Sequence, residues 1–104
     1  MAIIDITKVN FEHEVLKADK PVVLDFYGDS CASCKVNSDM FARLAQQRDD
    51  IKYGKVDVGT EIELAQQFDI QNVPAVLIFK NGELKSRVFG PRSKNSILAL
   101  VDND

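Results

Sequence analysis

At 104 residues the chain is long enough for one domain, here 1–104, that buries its own core without disulfide staples. Hydrophobic residues at 45% and charged ones at 28% are the balance of a soluble globular protein, and a net charge of -3 with no basic run leaves nothing to track a phosphate backbone. Nucleic acid is excluded as an expected partner, and so is a membrane, because no apolar stretch approaches the roughly 20 residues that span a bilayer.

The first residues, Met1 to Asp5, have neither a basic head nor a long apolar run of a secretory leader, so a cytoplasmic location is expected. Ile3, Ile4 and Ile6 then suggest a short strand, after which Asn10 can cap a helix with Phe11, Val15 and Leu16 on one face. Lys20-Pro21 ends that unit. Val22 to Tyr27 is β-branched and aromatic, apolar except for Asp25, as expected of a central strand covered by helices on both faces. Cys31 follows after Gly28-Asp29-Ser30 and opens a helix whose stripe is Val36, Met40, Phe41, Leu44 and Ala45, fraying in Gln46 to Asp50.

Ile51 to Val58 alternates as a strand does, and Thr60 with Glu63 has the spacing of a capping box for a short helix through Ile62, Leu64, Ala65 and Phe68. Asn72-Val73-Pro74 breaks the chain before the apolar run Ala75 to Phe79. Asn81-Gly82 signals a tight hairpin into Leu84 to Phe89. Beyond Gly90-Pro91, Ser93 can cap a last helix with Ile97, Leu98 and Val101 turned inward. The order is βαβαβαββα, which predicts an α/β fold of three layers around a mixed sheet, with parallel crossovers first and an antiparallel hairpin last.

The chemistry concentrates at Cys31 and Cys34, the only two cysteines of the chain. At the start of a helix the free backbone N–H groups of the first turn favour a thiolate, the nucleophilic form, and two sulfurs three residues apart can close a small ring. Such a pair can alternate between dithiol and disulfide without rearranging the fold. A CxxC is also half of a metal site, but a metal usually takes four protein ligands and the only histidine is the distant His13. No metal is therefore expected within one chain. In a reducing cytoplasm, a lone pair is more often catalytic than structural.

At this point the chain resembles the thioredoxin family from first strand to last helix. The anchors are Val23 to Tyr27 before the cysteines, Lys55 to Val58, Val73-Pro74, Phe79 to Glu83, and Gly90 before the last helix. The resemblance implies a thioredoxin fold and a monomeric protein-disulfide reductase with no bound cofactor. Cys31 attacks a substrate disulfide, Cys34 resolves the mixed disulfide, and a flavin-containing thioredoxin reductase returns electrons from NADPH. It also implies that Asp25 is a buried acid below Cys34, that Lys55 is its charged neighbour, and that Pro74 is a cis proline facing the disulfide. Val73 would offer its backbone to an extended substrate, and Gly90 would keep the groove shallow. A plain Asp25–Lys55 ion pair and simple turn chemistry at Gly90 are the alternative readings.

The departures from the family are specific. Where thioredoxins typically carry Trp-Cys-Gly-Pro-Cys, this chain has Ser30-Cys31-Ala32-Ser33-Cys34 and no tryptophan. Ala32 restores an N–H and Ser33 adds a hydroxyl near the sulfurs, both able to stabilise a thiolate, while Asp29 opposes this. Asp39 stands where the family usually has a helix-kinking proline, and Ala75 replaces a threonine. A redox protein of non-standard potential with one dedicated partner, a thioredoxin-fold binding module, and a metal-bridged dimer remain as alternatives at this stage.

Overall fold

The structure, a computed structural model, describes residues 3–103; the remaining positions of the expected 1–104 domain, Met1, Ala2 and Asp104, lie outside the described residues. Five strands, β1 (Ile4–Asp5), β2 (Val22–Tyr27), β3 (Lys52–Asp57), β4 (Ala75–Lys80) and β5 (Glu83–Phe89), form one sheet in the order β1-β3-β2-β4-β5. β1 and β2 run parallel to β3, and β4 runs antiparallel to both β2 and β5. Three helices, α1 (Ala32–Gln47), α2 (Ile62–Gln67) and α3 (Lys94–Asp102), complete the mixed α/β thioredoxin fold together with a π-helical turn at Glu12–Leu16.

β2 and β4 lie in the middle of the sheet with apolar clusters against both faces, which is why their sequences do not alternate. On β2, Val22, Leu24 and Phe26 face Phe11, Val15 and Leu64, whereas Val23 faces the α1 and α3 side with Met40, Phe41, Leu44, Ile97 and Val101. Asp25 alternates with Val23 and so shares the α1 side. This alternation places the one acidic residue of the strand beneath the cysteine-bearing helix.

Several local expectations are corrected. The first helical segment is only five residues, closed by Lys17 N–H donating to Glu12 O at 3.0 Å, and Leu16 is exposed while Phe11 and Val15 are buried. Asn10 does not cap it: its Oδ1 accepts from Thr7 N–H at 2.8 Å and its Nδ2 donates to Asp5 O at 2.9 Å. The Thr60–Glu63 capping box is also absent. Thr60 Oγ1 donates to Asp57 O, Glu63 binds Lys8 Nζ, and Glu61 stands at the helix start with no side-chain cap. Val36 and Ile62 face solvent. The end of α1 is held: the Tyr53 hydroxyl donates to Leu44 O and Arg48 O at 3.2 and 3.0 Å, and Arg48 bridges Asp50 and Asp102.

β1 is limited to Ile4–Asp5 and β3 to Lys52–Asp57, while the caps of α1 and α3 and the hairpin turn match. Cys31 and Ser93 cap α1 and α3, and Asn81 and Gly82, with φ of 53° and 80°, have the positive angles that a tight hairpin turn requires.

Candidate active site

Cys31 leaves the β2–α1 loop in an extended conformation and caps α1 with its own sulfur, which accepts from the backbone N–H of Cys34 at 3.1 Å. The preceding Ser30 has φ 56°, a left-handed conformation unusual for a residue with a Cβ, and this turns the chain from strand into helix. Cys31 and Cys34 form a disulfide with Cα atoms 5.2 Å apart. The two ends of it are unequal. Cys31 is half-buried, whereas Cys34 is 3% exposed. Ser33 Oγ lies 3.6 Å from Cys31 Sγ, a second polar group beside that sulfur, and Ala32 is exposed on the first turn.

Across from the sulfurs, the carbonyl oxygen of Val73 lies 3.9 Å from Cys31 Sγ, and the Val73–Pro74 peptide bond is cis. Gly90 N–H donates to Pro74 O at 2.8 Å, which holds the β5–α3 loop beside this segment. Gly90 has φ 86°, so the backbone alone calls for glycine, and a Cβ there would meet nothing within 4 Å. Ser33 on the first turn of α1 and Val73 beside the cis bond thus lie near Cys31 Sγ, with Ser30 and Ala32 flanking Cys31 in the chain and Gly90 tied to Pro74.

Asp25 is 2% exposed, and burial raises its carboxyl above the ordinary carboxylate range. Hydrogen bonds from Asn37 and Ser38, and more weakly the charge of Lys55, oppose that rise. Asn37 Nδ2 donates to Oδ1 at 3.0 Å and Ser38 Oγ donates to Oδ2 at 3.2 Å. Cys34, Asn37 and Ser38 are spaced i, i+3 and i+4 on α1, so the carboxylate is tethered under the helix face that carries Cys34. A cleft of about 270 Å³, lined by Ile3, Asp25, Tyr27, Ser38, Phe41 and Lys55, opens beside it.

Lys55 stands next to Asp25 in the β2–β3 register and lines the same cleft. Its side chain is 45% exposed, and its Nζ pairs with Asp5 Oδ1 at 3.6 Å. The plain Asp25–Lys55 ion pair is therefore not what holds the acid. Asn37 and Ser38, which sequence reasoning passed over, do so. The signal for them was present: Asn37 interrupts the inward stripe Cys34, Met40, Phe41 and Leu44, and a buried acid on the facing strand needs a donor.

A capped, unequal cysteine pair at a helix start, with a cis proline opposite and a buried acid below, defines a thiol–disulfide redox site. The thioredoxin family model matches residues 2–103. The thioredoxin of Rickettsia bellii (strain RML369-C) is 31% identical over 101 residues, covering 96% of this chain and 96% of that protein. Thioredoxin C-2 of Corynebacterium nephridii is 33% identical over 103 residues, 98% of this chain and 95% of that protein. A bifunctional thioredoxin reductase/thioredoxin of Mycobacterium leprae (strain TN) is 31% identical over 96 residues, 91% of this chain and 21% of that longer protein. The chain belongs to the thioredoxin family, and it is a protein-disulfide oxidoreductase that uses the Cys31–Cys34 dithiol/disulfide pair.

Proposed function

We propose that the protein reduces disulfides of partner proteins as a cytoplasmic monomer, and that electrons reach it from NADPH through a flavin-containing thioredoxin reductase. The observation that carries the direction of attack is the inequality of the two sulfurs. Cys31 is accessible and accepts an N–H from the first turn of α1, so its thiolate is favoured and attacks first. The substrate disulfide breaks, one partner sulfur leaves as a thiolate, and the other stays bonded to Cys31. Shielded Cys34 then attacks Cys31 Sγ, closes the internal disulfide and releases the second partner thiolate. Two electrons pass to the substrate in all.

In this reading Val73, Pro74 and Gly90 receive an extended segment of the substrate, and Ser30, Ala32 and Ser33, all small and two of them hydroxyl-bearing, form the opposite wall. Asp25 accepts the proton of Cys34 during resolution, and Lys55 tempers the acid from the rim of the cleft. The reductase is supported by the family resemblance and by the Mycobacterium leprae relative, whose name joins a thioredoxin reductase and a thioredoxin in one chain. No helix among the described residues is long and apolar enough to cross a membrane.

The test is covalent capture with Cys34→Ser. First attack persists, internal resolution does not, and partner proteins accumulate on Cys31 until reductant is added. Capture of many proteins is the expected result, and one or two would mean a dedicated partner. No capture from a disulfide-stressed extract would overturn the reductase reading. Turnover of a protein disulfide with dithiothreitol, compared with thioredoxin reductase and NADPH, separates the chemistry from the electron source.

A further inference from the structure

Asn37 is fully buried and uses both ends of its amide. Nδ2 donates to Asp25 Oδ1 at 3.0 Å, and Oδ1 accepts the backbone N–H of Arg92 at 3.1 Å. A backbone N–H can only donate, so the amide cannot turn over without setting its NH2 group against it. Asn37 thus presents a permanent donor to Asp25 Oδ1, and that oxygen has no vacancy for a proton on this side. Ser38 differs. Its hydroxyl donates to Oδ2 at 3.2 Å when the acid is ionised, and the same hydroxyl can rotate and accept when Oδ2 carries a proton.

The other ionisable groups around the acid are Tyr27 on its own strand and Lys55 on β3, both lining the cleft; Cys34 on α1 carries no thiol while it is in the disulfide, and the acid's β4 neighbour is the apolar Val76. Arg92 lies two residues beyond Gly90, whose own N–H is bound to Pro74 O at 2.8 Å. The loop beside the disulfide is therefore fixed at two points, once to the cis proline segment and once, through Asn37, to the buried acid.

We propose that Asn37 is a positioning residue for the resolution step: it keeps Asp25 Oδ1 as an acceptor, directs the proton to Oδ2 opposite Ser38, and ties the acid to the Gly90–Arg92 loop. The inference rests on Asp25 being the base. As Cys34 Sγ attacks Cys31 Sγ, the Cys34 proton passes to Asp25 directly or through one water. The Cys31–partner S–S bond breaks and the partner leaves as a thiolate. Oδ2 then returns the proton to solvent by way of the cleft it shares with Ser38.

Three variants, Asn37→Leu, Ser38→Ala and Asp25→Asn, separate the possibilities in two measurements. The first is the pH profile of single-turnover resolution of a peptide mixed disulfide. The second is an NMR titration of the Asp25 carboxyl carbon and the Arg92 amide in the oxidised protein. In the unaltered protein the Arg92 amide follows the Asp25 titration, and in Asp25→Asn it does not. Asn37→Leu removes a hydrogen bond to a charged group, so the Asp25 titration and the rate profile move to higher pH by about one pH unit, and the Arg92 response disappears. Ser38→Ala also moves the titration upward but keeps the Arg92 response.

An Asn37→Leu profile and titration that coincide with those of the unaltered protein would overturn the proposal, even if Asp25→Asn slows resolution. If Asp25→Asn resolves as fast as the unaltered protein, the base reading fails, and with it the kinetic role given to Asn37. If Asn37→Leu does not fold, the Arg92 amide decides. A titration that persists in Asp25→Asn overturns the tether, and one that is lost supports it.

Discussion

At Asp25 burial and the proposed proton transfer bear on the same carboxyl group. Desolvation raises its pKa in the folded protein, while the donors Asn37 and Ser38 keep it from being an uncompensated buried charge. Asp25→Asn should slow mixed-disulfide resolution by on the order of 10²-fold, the low end for loss of a general base, and leave attack by Cys31 less affected. The Asn side chain fits the same partners, since its oxygen accepts from Asn37 and its NH2 donates to Ser38 Oγ. For stability the sign follows from the raised folded-state pKa. The unaltered protein binds more protons folded than unfolded, so its stability falls as pH rises from about 3.9 through the folded pKa. Urea unfolding should show little difference between the variants below pH 4 and a more stable Asn variant at pH 7. A less stable Asn variant at pH 7 would mean that the lost charge-assisted hydrogen bonds outweigh the desolvation removed. At the sulfurs, brief iodoacetamide treatment of the reduced protein at neutral pH should label Cys31 first, because Cys34 is 3% exposed. Mass mapping that found Cys34 labelled first would reverse the two roles.

Among the α-helices of the described residues, α2 is the shortest. It has six residues, no side-chain cap, and a C-terminus closed by Asp69 N–H to Gln66 O at 3.1 Å and Ile70 N–H to Ala65 O at 2.8 Å. This closure needs a left-handed residue, and Asp69 supplies it at φ 55° where glycine is usual. Asp69→Gly relieves the Cβ crowding and removes a negative charge from a helix C-terminus, at the loss of an exposed hydrogen bond from Gln71. A gain of about 1 kcal/mol in urea unfolding is expected, and no gain would show that unfolded-state entropy cancels it. The same helix shows where sequence reading stopped. Thr60 and Glu63 have capping-box spacing, but spacing says nothing of competitors, and the Asp57 carbonyl and Lys8 took both side chains. The long elements were legible because burial leaves a periodic trace, and the cysteine pair because its spacing at a helix start suits dithiol chemistry and the family's other anchors accompany it in order. Asn37 left only a polar break in the inward stripe, and its partners, an acid twelve residues away and a loop amide 55 residues away, are brought to it by the fold.

The whole molecule divides its tasks across the sheet. The face under α1 carries Asp25, with Asn37 and Cys34 buried on the helix above it, while the opposite face packs Phe11, Phe26, Phe68 and Phe79 among aliphatic side chains. Phe79 is 2% exposed and meets Phe11 and Phe68 at ring-centroid distances of 5.8 and 5.6 Å, both edge-on, and Phe68 meets Phe26 at 6.5 Å. Such a cluster binds β2, β4, the π-helical turn and the residue after α2 into one unit without touching the redox groups. Phe79→Ala should therefore cost about 3–5 kcal/mol of unfolding free energy, a large share of the 5–15 kcal/mol typical of a domain. The urea midpoint should fall with the slope unchanged. Under conditions where the variant remains folded, the rate of Cys31 alkylation and the pH profile of resolution should match those of the unaltered protein. Matching chemistry with a lowered midpoint is the signature of a structural face separate from the catalytic one. An altered alkylation rate in the folded variant would mean that packing on the phenylalanine side is transmitted through β2 to Asp25 and α1, and that the two faces are coupled.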